Sequence, residues 1–408
     1  AEVENGTKTS HSRITAGDSI GIIAAADSDI YIIAGGLAAA GANAAGASIN
    51  TAILKNDIQA HAGTWTELMT TATPAVQTSS NGIRIPNRNE RRRGIIIFAN
   101  GNEDVIMVSV SAGAGGSNAI TGVINTLVVR NTVKATSREH VTISVKKAAG
   151  SSTNDTDPLP GVYIEAHDDT ELLNLAGALS AAGSVGVGAT VVALVFNKNV
   201  TAETAKEHKI LAPGKVQVIA DAKDNLWLLA VNFAAGGSVG VAGGANALVF
   251  QNYVTSALGG TTGDINNPVQ SVKVSANSDS SLYNLAAAAG IGGTAGVTAV
   301  AVITYFYNET LAYVKENSRI YAAGAVDILA DSKEFVTADA AGAAGSGTVS
   351  VGGTLDVVVT KVVTKAYTEK NVLIHAKGTT ADISVKADDD YSLIAVVGTI
   401  SASGVAAV

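Results

Sequence analysis

The chain has 408 residues, a formal net charge of −8, 47% hydrophobic residues, 15% charged residues and no cysteine. A modest, spread-out charge argues against nucleic acid as the main partner, and without cysteine there is neither a disulfide framework nor thiol chemistry. The charged share lies below the usual quarter or so, which suits a chain with much covered surface.

The opening residues, AEVENGTKTS, lack the hydrophobic segment of a secretory leader. The phrase RITAGDSIGIIAAAD reads as a short strand, a tight turn and a second strand, and it recurs as KILAPGKVQVIAD and RIYAAGAVDILAD. An uncharged block, Ile30–Leu54, follows the first copy. The least regular stretch, Ile58–Gly94, carries Trp65, Pro74, Pro86 and the cluster Arg84, Arg88, Arg91, Arg92 and Arg93. A second block, Val105–Val129, leads to another irregular segment, Lys147–Gly161, rich in turn formers. From there the chain is nearly regular, with blocks at Leu172–Phe196, Leu226–Phe250 and Leu282–Tyr307 and a smaller loop at Leu258–Pro268.

An alanine followed by Asp, Asn or His marks the register, at Ala26, Ala99, Ala166, Ala220, Ala276, Ala330 and Ala387, with separations of 73, 67, 54, 56, 54 and 57. A period near 55 with two longer early intervals is that of a repeat array carrying insertions. Around each mark β-branched residues alternate, as strands do. The uncharged blocks are long enough to cross a bilayer as helices. Their Gly and Ala content and their alternation of small and branched residues argue instead for strands, and no face is consistently polar as in a membrane barrel.

These features predict an all-β fold: a parallel β-solenoid, expected as a right-handed β-helix, with repeats of about 55 residues in one continuous domain over 1–408. Irregular insertions are expected at 58–94 and 147–161. Small side chains suit a narrow interior. Read as two or three turns per repeat, the array makes roughly 15 or 22 coils and a rod on the order of 70–110 Å. The first residues resemble mid-repeat sequence and the last lie inside an uncharged block, so the expectation is an internal or processed piece of a longer polypeptide.

The arginine cluster has two readings, a contact for sulfated or sialylated glycan or an acidic partner patch, and a solvated loop. The recurring acidic residues, Asp27, Asp168, Asp221 and Asp388 among them, are read as turns. Such turns hold Ca²⁺ in some β-rolls, but no copy has the GGxGxDxU pattern, so polar turn residues are the plainer reading and no cofactor is expected. His11, His61, His140, His167, His208 and His375 have no metal-ligand spacing, and there is no GxSxG elbow, phosphate loop or concentrated carboxylate–Lys/Arg face, so no enzyme is expected. Tyr31, Trp227, Tyr283 and Tyr391, with Tyr305, Phe306 and Tyr307, are read as stacking between coils, internally or as a ligand platform.

The order V-x-V-x-A-D…L-x-x-L-A-G…G-x-x-G-V-G…A-x-V-x-N-x-x-x-A, carried by VQVIADAKDNLWLLAVNFAAGGSVGVAGGANALVFQNYVTSA and its copies, resembles the repeats of large bacterial filamentous surface adhesins of the filamentous haemagglutinin and leukotoxin-type kind. The resemblance implies a secreted, rod-like β-helix at the bacterial cell surface, non-enzymatic and not membrane-embedded. The resemblance further implies that it serves there as an adhesin rod or stalk for attachment or aggregation. Its partners are then host or sister-cell glycans or proteins, or copies of itself in a self-assembling extracellular filament.

Overall fold

Alternation through Val216, Val218, Ala220, Leu226 and Leu228 places one apolar row on a single face of a pleated strand. In the computed structural model this strand does not break at the acidic residues but runs from Val216 to Gly236, 21 residues. The structure describes residues 1–71, 82–86, 90–146, 159–378 and 381–408.

Seven such strands make one parallel sheet, here sheet I: Ile20–Ala40, Gly94–Gly115, Gly161–Ala182, Val216–Gly236, Val272–Gly292, Val326–Ser346 and Ile383–Ser403. After a two-residue turn the chain returns along sheet II, whose long strands are Asn43–Ala62, Asn118–Ser137, Val185–Thr204, Val239–Leu258, Ala295–Val314 and Val349–Thr368. A third sheet of short strands, Ser12–Ala16, Thr66–Thr70, Val141–Val145, His208–Leu211, Thr261–Thr262, Arg319–Ala322 and Leu373–Ala376, closes the coil before the next rung begins. The fold is the expected all-β parallel solenoid.

Its coil differs from the expected one. Val162 lies beside Val216, Val216 beside Val272 and Val272 beside Val326, so one repeat makes one coil rather than two or three. Rungs about 4.8 Å apart then stack to only about 30 Å, whereas a strand of this length reaches about 70 Å. The molecule is a broad slab and not a rod of 70–110 Å.

Six of the seven register marks stand in one column, Ala99, Ala166, Ala220, Ala276, Ala330 and Ala387. The first is displaced by two, since Ala24 rather than Ala26 lies beside Ala99. The acidic residues after these marks are not turns, because they lie within sheet I. The real turn is a column of glycines, including Gly116, Gly183, Gly237 and Gly293. A Cβ on Gly237 would sit 2.0 Å from Gly183 O, and one on Gly293 2.1 Å from Gly237 O. Backbone lies against backbone there, and only glycine fits.

The insertion boundaries also shift. Ile58–Ala62 still pairs with Val133–Ser137, and Thr66–Thr70 belongs to the third sheet, so the first insertion starts after Thr70. Thr261–Thr262, inside the expected loop, likewise pairs in the third sheet. No helix among the described residues is long and apolar enough to cross a membrane.

Two apolar cores run along the stack. One, with Ile97, Val141, Ile143, Val216 and Val254, fills the broad end where all three sheets meet. The other, with Met107, Leu194, Leu228 and Leu248, lies between sheets I and II. Within it Phe196, Phe250 and Phe306 stack at 5.1 and 4.9 Å with planes 1° and 2° apart, close to the coil spacing. Toward the glycine turns the slab thins: a Cβ on Gly240 would meet Ile291 O at 2.0 Å, and one on Gly186 would meet Ala235 O at 2.2 Å. The glycine and alanine content of the uncharged blocks follows from this taper.

Candidate functional site

The arginine segment packs on the outer surface of sheet I. Ile83–Arg84 pairs antiparallel with Arg91–Arg92. Ile83 and Ile85 cover Ile23, Ile96, Phe98 and Tyr163, which belong to the first three rungs. This cover explains why the strands starting at Gly94 and Gly161 are buried on both faces near their beginnings. Arg92 is spent in holding the segment down. It pairs with the buried Glu165, lies 2.8 Å from Glu90 and sits over the Tyr163 ring at 4.7 Å. Arg93 lies 2.8 Å from Asp18. Arg84 and Arg91 are exposed, Arg91 donating to Gly82 O. Arg88 lies outside the described residues.

Beside this segment is a cleft of about 470 Å³, lined by Asp27, Asn102, His167, Asp169, Asp221 and Asp279 among others. His167 sits between Glu165 at 3.2 Å and Asp221 at 3.4 Å. Although burial works to raise the Glu165 pKa, His167 and Arg92 hold it below the usual carboxylate range. Among the described residues no group of His, Asp and Glu is arranged to hold a metal ion. Lys223 also lines the cleft, so its wall is mainly acidic with one basic group.

Two carboxylates of the recurring acidic positions turn inward. Lys198, fully buried, lies 2.9 Å from Asp168 and 2.8 Å from Asp224. Burial works to lower the lysine pKa, but Asp168, Asp224 and Glu103 outweigh it and raise it. Burial, then repulsion from Asp168, raises Glu103, and burial pushes Asp224 up to about 6. Lys198 interrupts an asparagine column in sheet II, Asn56, Asn131, Asn252 and Asn308. Asn252 and Asn308 bond to Ser278, and Asn308 also to Ser332 and Glu334. This polar belt separates the two apolar cores. The residue two places after Phe196, Phe250 and Phe306 (Lys198, Asn252, Asn308) was its visible trace, and sequence reasoning missed it.

The aromatic residues divide. Trp227 stacks on Tyr283 at 3.9 Å on the outer face of sheet I, while Tyr31 stands rungs away in the same column. Tyr391 belongs to the inward column of Asp224 and Glu334. The inner stack is the phenylalanine ladder.

On sheet II the outer columns through Ile49 and Ile53 hold only uncharged residues across the rungs, with Leu355 and Val359 at the far side. Between the Ile120 and Ile49 columns runs a valley of small residues, Ala189, Gly243, Ala299 and Gly353, forming a groove of about 590 Å³. No family model matches the chain, and neither a curated protein nor a solved structure matches it.

Proposed function

We propose that this chain is a non-enzymatic stretch of the extracellular rod or stalk of a bacterial surface adhesin, mediating attachment or aggregation. One observation carries this reading: every coil lies in register on the last, each strand beside its counterpart in the next coil, an architecture that extends by repetition alone. The repeat phrase and its resemblance to filamentous adhesins support the setting. On this reading the exposed Arg84 and Arg91 offer the contact to sulfated or sialylated glycans or acidic protein patches on host or sister cells. Beads coated with the protein are expected to bind heparin and cells, and the Arg84→Glu/Arg91→Glu variant to bind several-fold less. Equal binding by the variant would remove the arginine contact, and no cell binding by either would remove the adhesin role.

A second reading, a self-assembling subunit of an extracellular filament, is favoured by the large apolar outer faces, where Ile49 is 68% and Leu37 87% exposed and Asp339 interrupts the face of sheet I.

A further inference from the structure

We propose that copies of this chain stack face to back, the outer apolar face of sheet II of one copy covering the outer apolar face of sheet I of the next, with the glycine turns of both pointing the same way. The proposal rests on the filament reading and names its contact.

Size is the first argument. Each face spans nine or so residues along the strands and about six rungs, uncharged on sheet II and interrupted on sheet I by the outward Asp339 of the sixth rung. At about 3.3 Å per residue and 4.8 Å per rung this is roughly 850 Å², close to the ~800 Å² that each partner buries in a specific interface.

Charge selects the arrangement. The apolar face of sheet II ends at an outward column containing Lys55, Arg130 and Lys361 and no acidic residue. The apolar face of sheet I ends at an outward column containing Asp29, Asp104 and Glu171 and no basic residue. Within a coil Asp29 and Lys55 stand at nearly equal distances from the same glycine turn. Parallel face-to-back stacking therefore lays the basic border of one copy along the acidic border of the next. Joining two sheet II faces puts like charge on like, as does joining two sheet I faces, which costs stability.

Shape agrees with this pairing. The outward Leu179 and Phe233, neighbours in one column of sheet I, lie about as far from the turn as Ala189 and Gly243, which floor the groove on sheet II. A ridge on one copy thus meets a valley on the next. Such a contact is heterologous and does not close on itself, so it builds a row of slabs.

The test uses the full chain and two surface variants: Lys55→Glu/Arg130→Glu/Lys361→Glu, and Asp29→Lys/Asp104→Lys/Glu171→Lys. Analytical ultracentrifugation of the wild type is expected to show concentration-dependent oligomers, and each variant alone to stay monomeric at tenfold higher concentration. An equimolar mixture of the two variants is expected to assemble again, because each then meets the opposite charge on both faces. That recovery also excludes misfolding of either variant as the cause. Assembly that persists in both variants, or no recovery on mixing, overturns the stacking and leaves the filament reading standing. A wild type that is monomeric at every concentration overturns both, as does one that enters phosphatidylcholine vesicles instead of assembling.

Discussion

Lys198 Nζ lies 2.9 Å from Asp168 Oδ2, and neither side chain reaches solvent. The pair sits where the flanking rungs of sheet II carry Asn131 and Asn252, so a charged centre replaces a neutral ladder in one coil. Taking these charges out of water is costly, and the centre holds because Asp224 and Glu103 share the lysine. Lys198→Ala is expected to destabilise the protein by about 3–5 kcal/mol by leaving buried carboxylates unpaired. The triple variant Lys198→Asn/Asp168→Ser/Asp224→Ser, which takes the residues that the same columns carry in later rungs at Asn252, Ser278 and Ser280, is expected to recover most of that loss. Urea unfolding midpoints check both values.

The phenylalanine ladder is expected to behave as a packed core. Phe250 lies between two rings, 5.1 Å from Phe196 and 4.9 Å from Phe306. Phe250→Ala opens a cavity that coils above and below cannot fill and is expected to cost about 3–5 kcal/mol. Phe250→Leu is expected to cost markedly less, as read from thermal unfolding.

Glycine at the turn and at the thin edge is expected to be irreplaceable. Gly237→Ala places a methyl 2.0 Å from Gly183 O, and Gly240→Ala places one 2.0 Å from Ile291 O. Each is expected to lower stability by at least the 1–3 kcal/mol of an overpacked core. Gly122→Ala, whose added methyl has nothing within 4 Å, is expected to leave the melting temperature within a few degrees of the wild type.

The fully buried His208 makes stability depend on pH. Burial, then repulsion from Lys315, lowers its pKa to about 3 from the ordinary 6.5. The unfolded chain therefore binds a proton that the folded one refuses, and between these values stability falls as pH falls. The contribution is complete above pH 6.5 and lost progressively toward pH 3. His208→Gln is expected to flatten this part of the stability curve, measured as the difference from wild type at each pH, which cancels opposing effects from Asp224.

Arg92 ties the inserted segment to the third rung through Glu165 and Tyr163. Arg92→Ala leaves the Glu165 carboxylate buried without its guanidinium, and is expected to loosen the segment while the solenoid stays folded. Limited proteolysis is expected to cut near residues 82–93 several-fold faster, with the circular dichroism spectrum unchanged.

Alternation, period and glycine content were enough for the sequence by itself to determine parallel strands in stacked repeats and a narrow interior. Pleat periodicity and the lack of room for a Cβ are local properties, visible in Val216, Val218 and Gly237 alone. The number of turns per repeat was decided only by the tertiary structure. Asp168 and Asp224 look like turn residues until the opposite sheet supplies Lys198, and with that partner a carboxylate can sit inside a strand that continues unbroken. The arginine segment is a similar case. Arg91, Arg92 and Arg93 are alike in sequence, yet Glu165 and Tyr163, contributed by a later rung, engage Arg92 and leave Arg91 at the surface. Long-range partners set these outcomes, because the energy of a buried charge depends on the groups that surround it more than on its neighbours along the chain.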